Sequence, residues 1–168
     1  IVMMSWPTAE TASTRQAMSS ASRLRDGTEL KGPAYYADFE HSGRHFISQT
    51  TYTDRGPQFR SALGFFNRVD MREAVHTTGY LWRPEGRSVI SFGPQVEMLI
   101  NHDRLNRIQD WSVAPQFSVE MPSRTTLLAL RSESYELFRN LGFRKHRNMV
   151  RVKSEWKRWL AFDTSFEN

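Results

Sequence analysis

In the stretch SVISFGPQVEMLIN, Ser88 to Asn101, apolar residues fall at every second position from Ile90: Phe92, Pro94, Val96, Met98, Ile100. Between them stand mostly small or polar residues: Ser91, Gly93, Gln95, Glu97, Asn101. A period of two marks a strand with one greasy and one wet face. Strands of soluble proteins average about five or six residues, and this alternation runs about twice that.

The same reading predicts eight strands along the chain, the first of them weakly patterned. They are Thr14–Leu24, Ala34–His41, His45–Thr53, Met71–Trp82, the stretch above, Ile108–Met121, Thr125–Leu137 and Asn148–Phe162. Residues 1–13 are expected to be irregular and residues 14–168 to form one β-unit. In the sixth strand Trp111, Val113, Pro115, Phe117, Val119 and Met121 oppose Asp110, Ser112, Gln116, Ser118 and Glu120. In the eighth, Val150, Val152, Trp156, Leu160 and Phe162 oppose Arg151, Lys153, Glu155 and Lys157. Helix signals are poor; the best 3.6-residue pattern, Phe59–Phe66, is too short to stand alone. Pro94 and Pro115 fall mid-strand, where a missing N–H breaks the ladder, so each requires a bulge or a locally unpaired edge. Trp159 falls on the charged side of the eighth strand and calls for a bulge near Arg158.

The connections add a second rhythm. Ser42–Arg44, Arg83–Arg87 and Pro122–Arg124 are short; Arg25–Pro33, Asp54–Asp70, His102–Arg107 and Phe138–Arg147 are longer. In an antiparallel up-and-down meander alternate connections share an end, so one end is trimmed and the other carries loops. Outer-membrane barrels have this form. Asp54-Arg55-Gly56-Pro57 opens the longest connection as a turn, and Phe59, Leu63, Phe65 and Phe66 are too apolar to remain free of packing.

Alternation alone does not say which solvent the greasy face meets. A soluble barrel turns it inward as a core; a membrane barrel turns it to lipid and its charges to a polar lumen. Strand length favours lipid, since a membrane strand needs about 9–11 residues. So do two aromatic clusters: Tyr35, Tyr52 and Trp111 toward the long connections, and Phe46, Trp82 and Phe162 toward the short ones, as interfacial girdles require. On this reading Ile90, Phe92, Val96, Met98, Trp111, Val113, Phe117, Val119, Val150, Val152 and Trp156 face lipid. Glu97, Asp110, Glu120, Arg131, Glu133, Arg151, Lys153, Glu155 and Lys157 line the lumen.

Composition changes this picture little. The chain has 168 residues and a formal net charge of +5, spread out without a basic block, so nucleic acid is not an expected partner. There are no cysteines, hence no disulfide framework or thiolate zinc site. No apolar run is long enough for a membrane helix. Ile1–Pro7 lacks a charged n-region and an apolar h-region, so a leader is expected outside this chain. Phe166 is followed by Glu167 and Asn168 instead of ending the chain as a closing aromatic, so further strands are expected. His41, His45, His76, His102 and His146 form no metal-binding pattern, although His41 and His45 flank a tight turn and could meet across it. Glu133 and Glu155 lie near Arg131, Arg151 and Lys153 and read as paired lumen charges, not an acid/base couple. No nucleophile elbow or phosphate loop is present, so neither an enzyme nor a cofactor is expected.

The segments RHFISQTTYTDRGPQFRSALGFFNRVDMRE, GYLWRPEG and QDWSVAPQFSVEM resemble a bacterial outer-membrane family of unknown function. In that family a carbohydrate-binding-module-like domain of the family 9 type precedes a large C-terminal barrel. Tyr52–Arg55, Phe59, Leu63–Phe65 and Arg68–Asp70 carry the likeness, which extends over residues 30–160. The resemblance implies a piece of a larger barrel in the bacterial outer membrane, part of a pore, transporter or surface anchor. Its partners would be the bilayer, the remaining strands and a glycan or small solute. The alternative is a soluble β-barrel or sandwich that binds a small apolar ligand or glycan.

Overall fold

A computed structural model describes residues 10–23, 29–59, 69–86, 88–122, 124–157 and 160–168; within these, the side chains of 10–14, 16–31, 156, 157 and 160 are not described. The described residues form nine strands: β1 (Glu10–Arg23), β2 (Glu29–Ser42), β3 (Phe46–Arg55), β4 (Met71–Tyr80), β5 (Ser91–His102), β6 (Ile108–Met121), β7 (Thr125–Phe138), β8 (Leu141–Lys157) and β9 (Leu160–Glu167). Each pairs antiparallel with the next in chain order, so the fold is an all-β up-and-down meander in one sheet. The sheet is not closed, because β1 and β9 do not pair.

The expected strands are present, with four differences. β2 starts at Glu29, inside the connection expected over Arg25–Pro33. β1 starts at Glu10, inside the segment expected to be irregular; residues 1–9 lie outside the described set. The supposed loop Phe138–Arg147 is a tight turn at Arg139 and Asn140, after which β8 begins at once. The single strand expected over Asn148–Phe162 is the end of β8 plus the start of β9. The ladder shifts register between Glu155 and Lys157, and Arg158 and Trp159 lie outside the described residues.

The alternation of connection lengths therefore holds only in part. β1 and β2, β3 and β4, and β5 and β6 are joined at one end over 5, 15 and 5 residues of sequence, but the two-residue turn at Arg139 and Asn140 lies at that end too. The opposite end has short connections at 43–45 and 122–124, and a longer one over 81–90. We refer to these as the loop end and the hairpin end.

Both prolines are accommodated without a register shift. Pro94 pairs with Phe117 on β6, while the β4–β5 ladder stops at Gly79–Gln95 and resumes as a bridge between Trp82 and Phe92. Leu81 instead donates its N–H to His45 O at 2.7 Å, so the backbone opposite Pro94 finds its partner on the β3 side. Around Pro115 the β6–β7 ladder is interrupted between Val113 and Gln116.

Little of this sheet is buried. Among the described residues the only buried apolar side chains are Phe59 and Met71, and no large side chain is fully buried. Phe59 packs beneath Gly32, where an added Cβ would stand 2.1 Å from the Phe59 nitrogen. Among the described residues no second layer packs on the sheet.

Candidate functional site: two faces and a diagonal apolar band

Residues directly opposite each other on antiparallel strands share a face, so the register sorts the side chains. Phe92, Val96, Met98 and Ile100 on β5 oppose Val119, Pro115, Val113 and Trp111 on β6. Phe117, Val119 and Trp111 oppose Ala129, Leu127 and Tyr135 on β7, and Leu127 and Ala129 oppose Val152 and Val150 on β8. Ile90, just before β5, shares this parity and donates its N–H to Glu120 O at 2.8 Å. This apolar face is exposed: Val113, Phe117 and Val150 are 37%, 43% and 53% accessible.

The other face carries Glu97, Asp110, Glu120, Arg151, Lys153 and Glu155, six of the residues expected to lie together on a polar surface. Its groups bond across strands: Ser91 Oγ donates to Glu120 Oε2 at 3.0 Å, Asn101 Nδ2 to Asp110 Oδ2 at 3.2 Å and Thr51 Oγ1 to Asp38 Oδ1 at 2.8 Å. Cross-strand ion pairs continue the pattern, with Lys145–Glu136 at 2.6 Å and Arg147–Glu167 at 2.7 Å, and Lys153 pairs with Glu155 along β8 at 3.5 Å. Arg151 Nε donates to Asp163 Oδ1 at 2.9 Å.

Two expected members of the polar face belong elsewhere. Glu133 opposes Val113, and Arg131 shares its parity, so both stand on the apolar face. There Arg131 Nη2 donates to Glu133 Oε1 at 2.6 Å. The cause lies in β7, where Leu128 and Leu130 occupy the polar-face positions opposite Ser118 and Gln116. Glu133 and Glu155 therefore do not face each other; Glu133 opposes His146 and Glu155 opposes Ala161. Trp156 and Lys157 have no described side chains.

Aromatic residues line both ends of the apolar face. At the hairpin end His41 meets Phe46, Tyr80 meets Trp82, Trp82 meets Phe92 and Phe92 meets Phe117, with ring centroids 4.8–6.4 Å apart. Toward the loop end Tyr35, Tyr52, Trp111 and Tyr135 occupy the same face. His45 stacks on Tyr80 at 5.8 Å, and its Nδ1 lies 2.8 Å from Leu81 O.

The apolar band crosses the sheet obliquely. On β2 it is Tyr35, Ala37 and Phe39, and polar character begins at His41 toward the hairpin end. On β5 and β6 it fills the strand from Phe92 to Ile100 and from Trp111 to Val119. On β7 and β8 only the hairpin-end half is apolar: Leu127 with Ala129, and Val150 with Val152; Arg131, Glu133, His146 and Asn148 follow. Traced through the register, the band centre moves about eight residues toward the hairpin end between β2 and β9, or about one residue per strand. The band is interrupted on β3 and β4 by Ser48, Thr50, His76 and Thr78. Thr50 Oγ1 and His76 Nδ1 hydrogen-bond to each other at 2.8 Å, and Thr78 Oγ1 donates to Ile47 O at 3.2 Å.

The loop end holds a polar cluster that sequence reasoning missed. Asp54 is buried and pairs with Arg104 and, at 3.6 Å, with Arg72. Asp103 accepts the N–H groups of Leu105 and Arg107 at 2.9 Å each, Arg107 Nε at 2.7 Å and Gln109 Nε2 at 3.1 Å. These bonds, the Arg107 amide first, hold the Asp103 carboxyl below the usual carboxylate range. The signal was the Asp-x-x-Asn spacing, an Asx-type turn with Asn106 at φ 59°. Among the described residues no group of three or more histidines and carboxylates is arranged to hold a metal ion.

No family model, curated protein or solved structure matches this chain.

Proposed function

We propose that the chain is a segment of an outer-membrane-type β-barrel, with its apolar face toward lipid and its polar face lining an aqueous lumen. The parent would be a pore, a transporter or a surface-anchoring barrel of the family that the sequence resembles. The oblique course of the apolar band carries this reading. Strands of a membrane barrel tilt by about 35–45°, so a band parallel to the bilayer must cross successive strands at shifting register. A drift of one residue per strand is about 3.4 Å for each step of about 4.8 Å, a tilt of about 35°. Along β5 the stretch from Phe92 to Ile100 spans about 27 Å, or about 22 Å in height at that tilt, close to the apolar band of about 25 Å that a barrel presents.

The interruption on β3 and β4 is compatible with lipid because Thr50, His76 and Thr78 satisfy one another or the backbone within the sheet. The paired charges of the other face suit a lumen. A soluble barrel or sandwich would have to cover the apolar face, and among the described residues nothing does.

The chain has no cysteine, so single cysteines can be labelled without background. In the whole chain reconstituted in bilayers, labels at positions 96, 117 and 152 are expected to be reached by a lipid-soluble quencher and not by a water-soluble one. Labels at 95, 118 and 153 are expected to show the reverse. Labels at 96, 117 and 152 that neither quencher reaches would mean a buried protein core and end the membrane reading.

A further inference from the structure

On the apolar face of β6–β9, where the band gives way to polar residues, two concavities meet. One, of about 210 Å³, is lined by Trp111, Arg131, Glu133, Arg144 and His146 among others. The second, an open groove of about 550 Å³, runs beside it toward the hairpin end and is lined by Pro115, Phe117, Ala129, Val150 and Phe166 among others. Arg131 borders both. We propose that this junction binds one anionic phospholipid, its phosphate among Arg131, Arg144 and His146 and one acyl chain along the groove. The inference rests on the barrel reading above and adds a specific lipid to it.

The chemistry of each half fits that ligand. Arg131 uses only its Nε and Nη2 on Glu133, which leaves guanidinium N–H groups for an anion. Among the described residues no carboxylate pairs with Arg144, and His146 stands exposed opposite Glu133. Glu133 is the one acid in the pocket and already serves Arg131, so the pocket retains positive charge. Guanidinium groups match phosphate oxygens in geometry as well as charge. Trp111 supplies an indole of the kind that sits at headgroup level. The groove is lined by apolar side chains and continues the band that faces acyl chains. Arg131 extends from the groove toward Glu133, placing its charged head on the pocket side while its stem lies along apolar surface. Arg131 is paired with Glu133 on this face, and a lipid phosphate would compensate the positive charge that Arg144 adds beside them.

The test uses the whole chain in detergent micelles, titrated with dimyristoyl phosphatidic acid or dimyristoyl phosphatidylcholine and read by native mass spectrometry. One phosphatidic acid is expected to bind about tenfold more tightly than phosphatidylcholine, and Arg144→Gln combined with His146→Gln should abolish that preference. Both positions are exposed, so folding should survive, and an unchanged circular dichroism spectrum checks this. Equal retention of the two lipids, or a preference that persists in the double variant, would overturn the site. Displacement of phosphatidic acid by millimolar inorganic phosphate would also overturn it, since it would indicate a site for the free anion. Quenching of a label at position 117 by brominated phosphatidylcholine reports lipid contact independently of headgroup. Its loss would sink the barrel reading, whereas its persistence alongside equal lipid retention would sink the phospholipid site alone.

Discussion

Gly93 is where two backbones come too close for any other residue. A Cβ there would stand 1.8 Å from Tyr80 O, so Gly93→Ala must push the Tyr80–Leu81 backbone away. That movement breaks the reciprocal Trp82–Phe92 bonds of 2.8 and 3.0 Å and the ring stack beside them. A loss near the upper end of the usual overpacking range, about 3 kcal/mol, is expected in denaturant titration. Gly86→Ala is the control, because nothing lies within 4 Å of its added Cβ. A second residue-level prediction concerns Asp103. Its carboxyl is held below the ordinary value of 3.8 by bonds from the 103–107 loop. A depressed value means that the charged form stabilises the loop at neutral pH, and that this contribution is lost only as pH falls through and below the ordinary value. Hydrogen-exchange protection of the Leu105 and Arg107 amides should hold from neutrality to about pH 4 and decline below it. Asp103→Asn should lower that protection at neutral pH and leave the two proteins alike at low pH; unchanged protection at neutral pH would show that the carboxylate does not order the loop. In sequence the glycine read only as a small residue within a strand, and the aspartate lay unremarked in the connection His102–Arg107. The close approach and the four-donor cage were not visible there, because each depends on residues brought in by the fold.

At the scale of elements, period-two patterning located every strand with a continuous greasy stripe, β5 and β6 above all. It failed where the stripe changes sides or polarity. In β8 the stretch Leu141–Met149 alternates Leu, Phe, Lys, Arg and Met on the polar face against Gly, Arg, His and Asn on the other, so it looks like a basic loop. Arg131 and Glu133 were misplaced for a related reason: their charge pointed to the wet face, while the parity of Leu127 and Ala129 put them on the greasy one. The β7–β8 turn was hidden because Arg139-Asn140 is not an expected turn pair. Both residues have positive φ, 49° and 64°, the geometry of a two-residue hairpin turn whose twist matches the strands. Asn140→Gly should therefore be neutral or stabilising. Asn140→Val should cost about 1–2 kcal/mol, because a β-branched residue resists the left-handed region. Equal thermal midpoints for the two variants in detergent micelles would mean that this turn does not hold that geometry.

At the scale of the whole sheet, the described residues leave two edges open and an apolar face uncovered. β1 and β9 each have one hydrogen-bonded neighbour, and a long unpaired edge is a template for another strand. Nine successive antiparallel strands leave the first and last running in the same direction. An all-antiparallel closure between them therefore needs an odd number of further strands, in keeping with the even counts of single-chain bacterial barrels. On the barrel reading proposed above, the edges and the exposed side chains of the apolar face, such as Phe117, Val150 and Phe162, would drive association in water. Size-exclusion chromatography without detergent is expected to show large or heterogeneous species, with β-type circular dichroism and no sharp melt. Detergent above its micelle concentration should narrow that distribution by covering the apolar face, while substitution of Ser165 or Ala161 on β9 by Lys should reduce edge-driven association without affecting the detergent effect. A monodisperse, cooperatively melting monomer in plain buffer would show that the apolar face is covered from within the chain, and the proposed contact with lipid would have to be abandoned.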